Sequence, residues 1–344
     1  MQAVRLVSWQ SEPELCEIEV PDPGPGAVLV EVEATGLCHS DLHVMDWPAG
    51  TLAWDLPVTL GHEVAGRVAA LGAGASGVEV GDAVLVYGPW GCGVCRQCAS
   101  GAENLCERAG VLPRAGCGLG FDGGLAEYVL VPRARLLVPR GELDAVYAAP
   151  LTDAALTPYH ALKPELWRLH PGSSVVVIGV GGLGHMAVQL VRELSPARIV
   201  AIDPRESSRR RALDAGAHAA LDSAGLGSDD VRAETGSAGA ALVLDFVGSD
   251  ETVRLAAAVL GTGGHVAIVG LGASSFPIAH GTVPPEWSAG RPRWGTLPEL
   301  HEVVALARAG ALQLEVETLR LDETIEGYRR LRRGEIAGRA VVVP

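Results

Sequence analysis

No apolar run in this sequence approaches the roughly 20 residues that a bilayer-spanning helix requires. That holds although apolar residues make up 48% of its 344 positions and the mean hydropathy is positive. A membrane-embedded protein is therefore not expected. The opening segment MQAVRLVSWQSEPELCEIEV lacks a long apolar stretch and a small-residue cleavage site. No secretory leader is predicted, and cytoplasmic residence follows. Fixed-period repeats and low-complexity tracts are also missing, despite 44 Gly and 22 Pro. Positive charge is in short supply: 27 basic against 41 acidic residues give a formal charge of −14. This balance argues against nucleic-acid binding and makes a polyanionic substrate a poor fit, while leaving room for a local basic pocket. What is present is length. A chain of this size exceeds one ordinary core and suggests two domains.

The first part reads as β-rich. Val28, Val30, Val32 and Ala34 alternate with Leu29, Glu31 and Glu33, the period of a half-buried strand. Further short apolar runs (VAGRVAAL, AVLVYG, AEYVLV) are separated by Gly and Asp turns, which predicts an antiparallel, barrel-like domain with long loops. The character changes near residue 150. SSVVVIG is a continuous apolar run suited to a parallel strand buried on both faces. A helical segment HMAVQLVREL follows, then the strands ARIVAID, ALVLDFVG and GGHVAIVG with helix-like stretches between them. Alternation of this kind implies an α/β, doubly wound sheet. GTVPPEWSAGRPRWG is expected to be a loop returning to the first domain. One late helix is well signalled: Thr296 and Glu299 fit a capping box, Leu300, Val303, Val304 and Ala307 line one face, and Gly310 can end it. The chain closes on a strand-like AVVVP.

Seven cysteines is an odd number, and four fall within PWGCGVCRQCASGAENLC. Cys92, Cys95, Cys98 and Cys106 have the spacing C-x2-C-x2-C-x7-C. In a reducing compartment this clustering points to metal rather than disulfides. Four thiolates on a short loop can close a tetrahedron around Zn²⁺ at about 2.3 Å each. An iron–sulfur cluster is the main rival, but its compact bacterial run ends in C-x3-C-P, which is not the spacing here. With every position filled by protein, such a zinc is structural.

The segment Gly179-Val180-Gly181-Gly182-Leu183-Gly184 follows a predicted strand and opens a predicted helix. The first glycine of this G-x-G-x-x-G run permits a tight turn. The second lets a pyrophosphate approach the backbone, and the third lets helix and strand pack closely. The helix start adds unpaired N–H groups and the positive end of a dipole. Asp203, which ends ARIVAID, can accept hydrogen bonds from ribose hydroxyls and repel a 2′-phosphate, favouring NAD over NADP. Arg205 and the Arg209-Arg210-Arg211 run complicate that preference; the triple Arg reads mainly as an exposed helix face.

Together with GLCHSDLH and GHEVAG, these features resemble the medium-chain zinc-dependent alcohol dehydrogenase family over essentially the whole length, with the closest similarity to bacterial secondary-alcohol dehydrogenases. Gly61, His62, Glu63 and Gly66 match the family's G-H-E-x2-G zinc signature, with Gly72 at the expected interval. The resemblance implies a β-rich, GroES-like catalytic domain over residues 1–152 and 288–344, with a structural zinc lobe at 90–108. It also implies a Rossmann coenzyme domain over 153–287, two zinc ions per chain, and a homodimer or homotetramer.

Carried over residue by residue, the resemblance makes Cys38 and His62 the first two catalytic zinc ligands. The third is commonly a Cys at the start of the coenzyme domain. Here Asp153, in PLTDAALTPYHAL, occupies that place, and a carboxylate is a competent ligand. Three protein ligands leave a fourth position for an alcohol or carbonyl oxygen. Glu63 would be a transient or indirect partner of the metal. Ser40 and His43 would form a proton path running from the substrate hydroxyl through Ser40 and the nicotinamide ribose to His43 and solvent. His39 and Arg339 match positions that contact the pyrophosphate. Trp54, Leu119 and Trp294 lie in segments resembling the pocket walls, which suits small or medium hydrophobic alcohols and ketones. A polyol or sugar-alcohol dehydrogenase on the same scaffold is the alternative enzyme. Zinc-free quinone or enoyl reductases share the fold but lack the catalytic cysteine and the lobe. A non-catalytic NAD-binding zinc protein is the alternative outside enzymology.

Overall fold

The computed structural model describes every residue except 110–111, 113–114, 277 and 279–280. The chain divides into two compact units. One comprises Met1–Asp153, Thr296–Arg308 and Leu314–Pro344, and the other Ala154–Gly295 with Ala309–Gln313.

The first unit is built around a seven-stranded sheet. Its path runs Leu137–Pro139, Ala83–Val86, Glu63–Leu71, Val28–Gly36, Arg339–Val343, Val316–Arg320, and Tyr128–Val131 also pairs with Val28–Gly36. All pairs are antiparallel except the last two strands of the path, which run parallel. Val28–Gly36 shows the predicted alternation from Val30 on: Val30, Val32 and Ala34 are buried, Glu31 is exposed and Glu33 is half-buried, whereas Leu29 is buried along with Val28. Its register places Gly36 opposite Glu63 on one side and opposite Val341 on the other. That register has a functional consequence. It sets the residues just beyond Gly36, those around Glu63 and those at the start of Arg339–Val343 at the same end of the sheet. Beyond Gly36 the chain turns into the helix His39–Asp46, which buries Asp41, Leu42, Val44 and Met45 and exposes His39. Leu6, Leu37, Leu42, Leu60, Leu125, Tyr328 and Val342 belong to one apolar core beneath this end.

The second unit carries a six-stranded, wholly parallel sheet. Counted in chain order its strands lie 3-2-1-4-5-6: Ala219–Leu221, Arg198–Ile202, Ser174–Ile178, Ala240–Asp245, Leu260–Ile268, Ser288–Gly290. This is the doubly wound order, with its switch point between the first and fourth strands. The central Ser174–Ile178 is buried along its entire length, as its unbroken apolar run requires. Helix Gly182–Leu194 packs with Met186, Ala187, Val188, Leu190 and Val191 inward.

The sequence boundary at 287/288 and the expected loop over 281–295 differ from this arrangement. Ser288–Gly290 pairs with His265–Ala267 as the sixth strand, so the unit continues to Gly295. The segment is short and Gly-containing, and only a neighbouring strand makes it extended. The other division falls one residue later than expected, after Asp153. The late helix spans Leu297–Arg308. Thr296 N–H donates to Glu299 (2.8 Å), Glu299 N–H donates to Thr296 Oγ1 (3.3 Å), and Gly310 follows at φ +77°.

Leu190 is fully buried and Arg210 is mostly exposed. Truncating Leu190→Ala should lower the stability of the second unit by about 2–5 kcal/mol. Arg210→Ala should change it by less than about 0.5 kcal/mol. Urea midpoints followed by circular dichroism would check the contrast; equal shifts would refute this packing.

Candidate active site

Among the described residues, two groups of metal-ligating side chains converge: Cys92, Cys95, Cys98 and Cys106, and Cys38, His62, Glu63 and Asp153. Both lie in the first unit.

In the lobe, local geometry assembles the thiols. Cys92 Sγ accepts the Cys95 N–H at 3.3 Å, Cys95 Sγ accepts the Cys98 N–H at 3.4 Å, and Cys106 Sγ accepts the Cys92 N–H at 3.4 Å. Donors aimed at sulfur favour the thiolate. Backbone N–H groups of Val94 and Cys95 draw the Cys92 pKa down to about 6, whereas burial pushes Cys98 up to about 12. Cys92 and Cys98 sulfurs are 4.0 Å apart, close to the roughly 3.8 Å edge of a tetrahedron with 2.3 Å Zn–S bonds. The four thiols therefore fit a closed zinc site.

The second cluster is assembled across the sheet. Cys38 caps the N-terminus of His39–Asp46, His62 directly precedes the strand Glu63–Leu71, and Asp153 ends the turn Ala149–Thr152. Asp153 Oδ2 lies 3.4 Å from Cys38 Sγ and 3.7 Å from His62 Nε2. Zinc bonds of roughly 2.0–2.3 Å at tetrahedral angles place donors about 3.3–3.8 Å apart, so the spacing fits. His62 Nδ1 donates to Asp41 Oδ1 at 3.0 Å, which turns Nε2 toward Cys38 and Asp153. Burial disfavours a charged His62, but the charges of Asp41 and Cys38 and hydrogen bonds to Asp153 and Asp41 outweigh it and hold its pKa well above the ordinary value. A buried pocket lined by Asp41, Glu63, Asp153 and Cys38 favours added positive charge. A divalent cation supplies that charge and leaves the imidazole neutral.

Glu63 is fully buried beside these donors and is gripped by Arg339, whose Nε donates to Oε2 at 3.0 Å and whose Nη2 pairs with Oε1. The same Nη2 stands 3.6 Å from Asp153 Oδ2. The resemblance assigns Arg339 to a pyrophosphate; the structure places its guanidinium in the buried carboxylate cluster. Ser40 Oγ lies 3.6 Å from Cys38 Sγ. His43, half-buried on the same helix, stacks on Trp47 at 6.5 Å between ring centroids. His39 is exposed at the first position of that helix. Trp54 and Leu119 are partly buried against the core that contains Leu42 and Met45. Trp294 belongs to the second unit, where it is buried at φ +53°.

In the second unit, Gly181 caps the helix Gly182–Leu194, and Leu183 and Gly184 lie in its first turn. A Cβ on Gly184 would stand 1.9 Å from Gly179 O, so strand and helix could not approach as they do. A Cβ on Gly181 would meet nothing within 4 Å. Open space above the second glycine, at the start of a helix, is the feature a pyrophosphate cradle requires. Asp203 is buried at the end of its strand. Its Oδ2 accepts the Val180 N–H of the glycine loop at 2.8 Å, and its Oδ1 accepts the Arg205 N–H at 2.9 Å.

Two contributors escaped the sequence reading. Asp41 carried a faint signal, as an acid in the first turn of a helix that begins at a ligand. Tyr328 carried none; its hydroxyl reaches Asp41 across 287 residues of sequence.

Comparison with known proteins identifies the family. Residues 24–141 match the family model described as alcohol dehydrogenase GroES-like domain, and 182–285 match that described as zinc-binding dehydrogenase. The chain is 36% identical to an NAD-dependent alcohol dehydrogenase of Sulfurisphaera tokodaii, with 100% of both chains covered. Among solved structures it is similar to the alcohol dehydrogenase of Aeropyrum pernix (TM-score 0.92, 33% identity, 100% of both chains). It is also similar to an acetophenone reductase of Geotrichum candidum in complex with NAD (TM-score 0.87, 33% identity, 100% of this chain and 97% of that one). The chain belongs to the zinc-dependent, medium-chain alcohol dehydrogenase family. No helix among the described residues is long and apolar enough to cross a membrane.

The two glycines of the loop should separate fold from binding. Gly184→Ala is expected to lower the melting temperature of the second unit by several degrees. Gly181→Ala should leave that temperature unchanged and weaken dinucleotide binding at least about tenfold. Calorimetry on both variants checks this, and a Gly181→Ala protein that binds NADH normally would refute the cradle.

Proposed function

We propose that this chain oxidises small or medium hydrophobic alcohols, secondary alcohols foremost, and reduces the matching carbonyls, with NAD as its coenzyme. The observation that carries this reading is the buried cluster of Cys38, His62 and Asp153, with the neighbouring Glu63 engaged by Arg339; three such ligands would leave a zinc one position for a substrate oxygen. Zinc held there would supply Lewis acidity at that oxygen, and NAD would supply the hydride acceptor.

The chain's own residues do the rest. Ser40 stands beside Cys38, where its hydroxyl can accept the proton an alcohol must lose. His43 lies three residues on, on the same helix face, and passes the proton outward. Burial keeps the His43 pKa below its ordinary value; Asp46 pushes it back up and Arg332 lowers it. A neutral imidazole is the form that accepts a proton, so His43 is competent at neutral pH and loses that capacity as the pH falls through its lowered pKa. Partly buried Trp54 and Leu119 support an apolar substrate.

NAD is favoured by Asp203, whose charge repels a 2′-phosphate. The neighbouring arginines are already engaged. Arg205 Nε pairs with Asp203 at 3.2 Å, and Arg209 binds the carbonyls of Asp203 and Pro204 and the carboxylate of Asp222. The likeness to an acetophenone reductase bound to NAD supports an alcohol–ketone pair. The grouping of Cys92, Cys95, Cys98 and Cys106 as metal donors supports a reducing, cytoplasmic location. Assembly as a homodimer or homotetramer rests on the family resemblance.

The test is NADH formation by zinc-loaded protein with propan-2-ol, a primary alcohol and a polyol, each repeated with NADP. Strong NAD-linked turnover of propan-2-ol is expected; turnover of the polyol alone would move the assignment to a polyol dehydrogenase. His43→Gln should slow alcohol oxidation roughly tenfold or more near neutral pH, remove the acidic limb of the pH–rate profile and respond to added small bases. An unaltered profile would sink the relay.

A further inference from the structure

The Asp41 carboxylate has no exposure to solvent and receives three donors from three parts of the chain. Oδ1 accepts His62 Nδ1–H at 3.0 Å, and Oδ2 accepts the Cys38 N–H at 3.2 Å and the Tyr328 hydroxyl at 2.9 Å. Two of the three come from residues of the metal cluster. The third comes from the helix Thr324–Arg332, which packs on His39–Asp46 and also grips its far end, where Arg332 forks onto Asp46 with two bonds of 2.8 Å.

We infer that Tyr328 is a positioning residue for the metal site, acting through Asp41 on His62; the inference rests on reading Cys38, His62 and Asp153 as ligands. A carboxylate held only by the imidazole and one long backbone bond can rotate about its Cβ–Cγ bond. Any rotation tilts the imidazole and moves Nε2 away from the point where the donors converge. The phenol supplies the third direction that defines a single orientation. Burial and the Asp41 charge push the Tyr328 pKa far up, so the hydroxyl remains a donor. Partners of this kind, one bond removed from a ligand, affect metal affinity by roughly 10–100-fold.

The experiment compares zinc transfer from holoenzyme to 4-(2-pyridylazo)resorcinol for wild type, Tyr328→Phe, Asp41→Asn and the double variant. Cys38→Ser and Cys98→Ser assign the two release phases. Tyr328→Phe keeps the ring, and it should speed release from the Cys38 site about tenfold while the lobe phase stays at the wild-type rate. Asp41→Asn should accelerate the same phase, and the double variant should be no faster than the faster single one, because both act along one path. Leu331→Ala, which removes buried packing from the same helix, should lower the melting temperature without changing either phase. A wild-type Cys38-site phase in Tyr328→Phe, equal acceleration of both phases, or additive effects would overturn the assignment. Should Tyr328→Phe fail to fold, an Asp41→Asn protein with unchanged release would overturn it as well. If wild type carries only the lobe zinc, the ligand reading itself fails and Tyr328 falls with it. Because the readout is metal release, the result is independent of which alcohol the enzyme prefers.

Discussion

Uncompensated negative charge cannot be buried cheaply, and the first unit concentrates it in one place. Asp41 and Glu63 are fully buried, and Cys38 and Asp153 nearly so, all at the end of the sheet where Val28–Gly36, Glu63–Leu71 and Arg339–Val343 meet. Arg339 is the buried guanidinium set among them, and it is committed to Glu63 and Asp153. The remaining demand for positive charge falls on His62, whose pKa the pocket raises. Such a convergence of buried donors fits a cation. The strand register, the helix that begins at Cys38 and the distant Tyr328 all serve that one electrostatic requirement.

The nucleotide loop obeys a different constraint, one of contact distance. Gly184 is required because the carbonyl of Gly179 occupies the space of any side chain, whereas Gly181 faces empty space. One glycine lets two parts of the protein meet; the other leaves room for something that is not protein. Asp203 serves both purposes. It receives the N–H of Val180 within the loop, and its place at the strand end is the one the proposed ribose contact requires.

Features confined to short windows are legible in the sequence itself. The cysteine lobe, the glycine loop, the buried strand Ser174–Ile178 and the capped helix Leu297–Arg308 each depend on residues a few positions apart, so spacing alone encodes them. The strand Ser288–Gly290 was not legible. Its three residues have little propensity for extension, and only pairing with His265–Ala267 makes them the sixth strand.

Residue types and local spacing thus determined which groups could bind metal and dinucleotide, because those preferences belong to the side chains and their immediate backbone. Only the tertiary structure decided how the groups are held. Arg339 meets Glu63 across 276 residues of sequence and Tyr328 meets Asp41 across 287. Sheet register and helix packing fix such partners, and both are properties of the whole core that no local window of the chain contains.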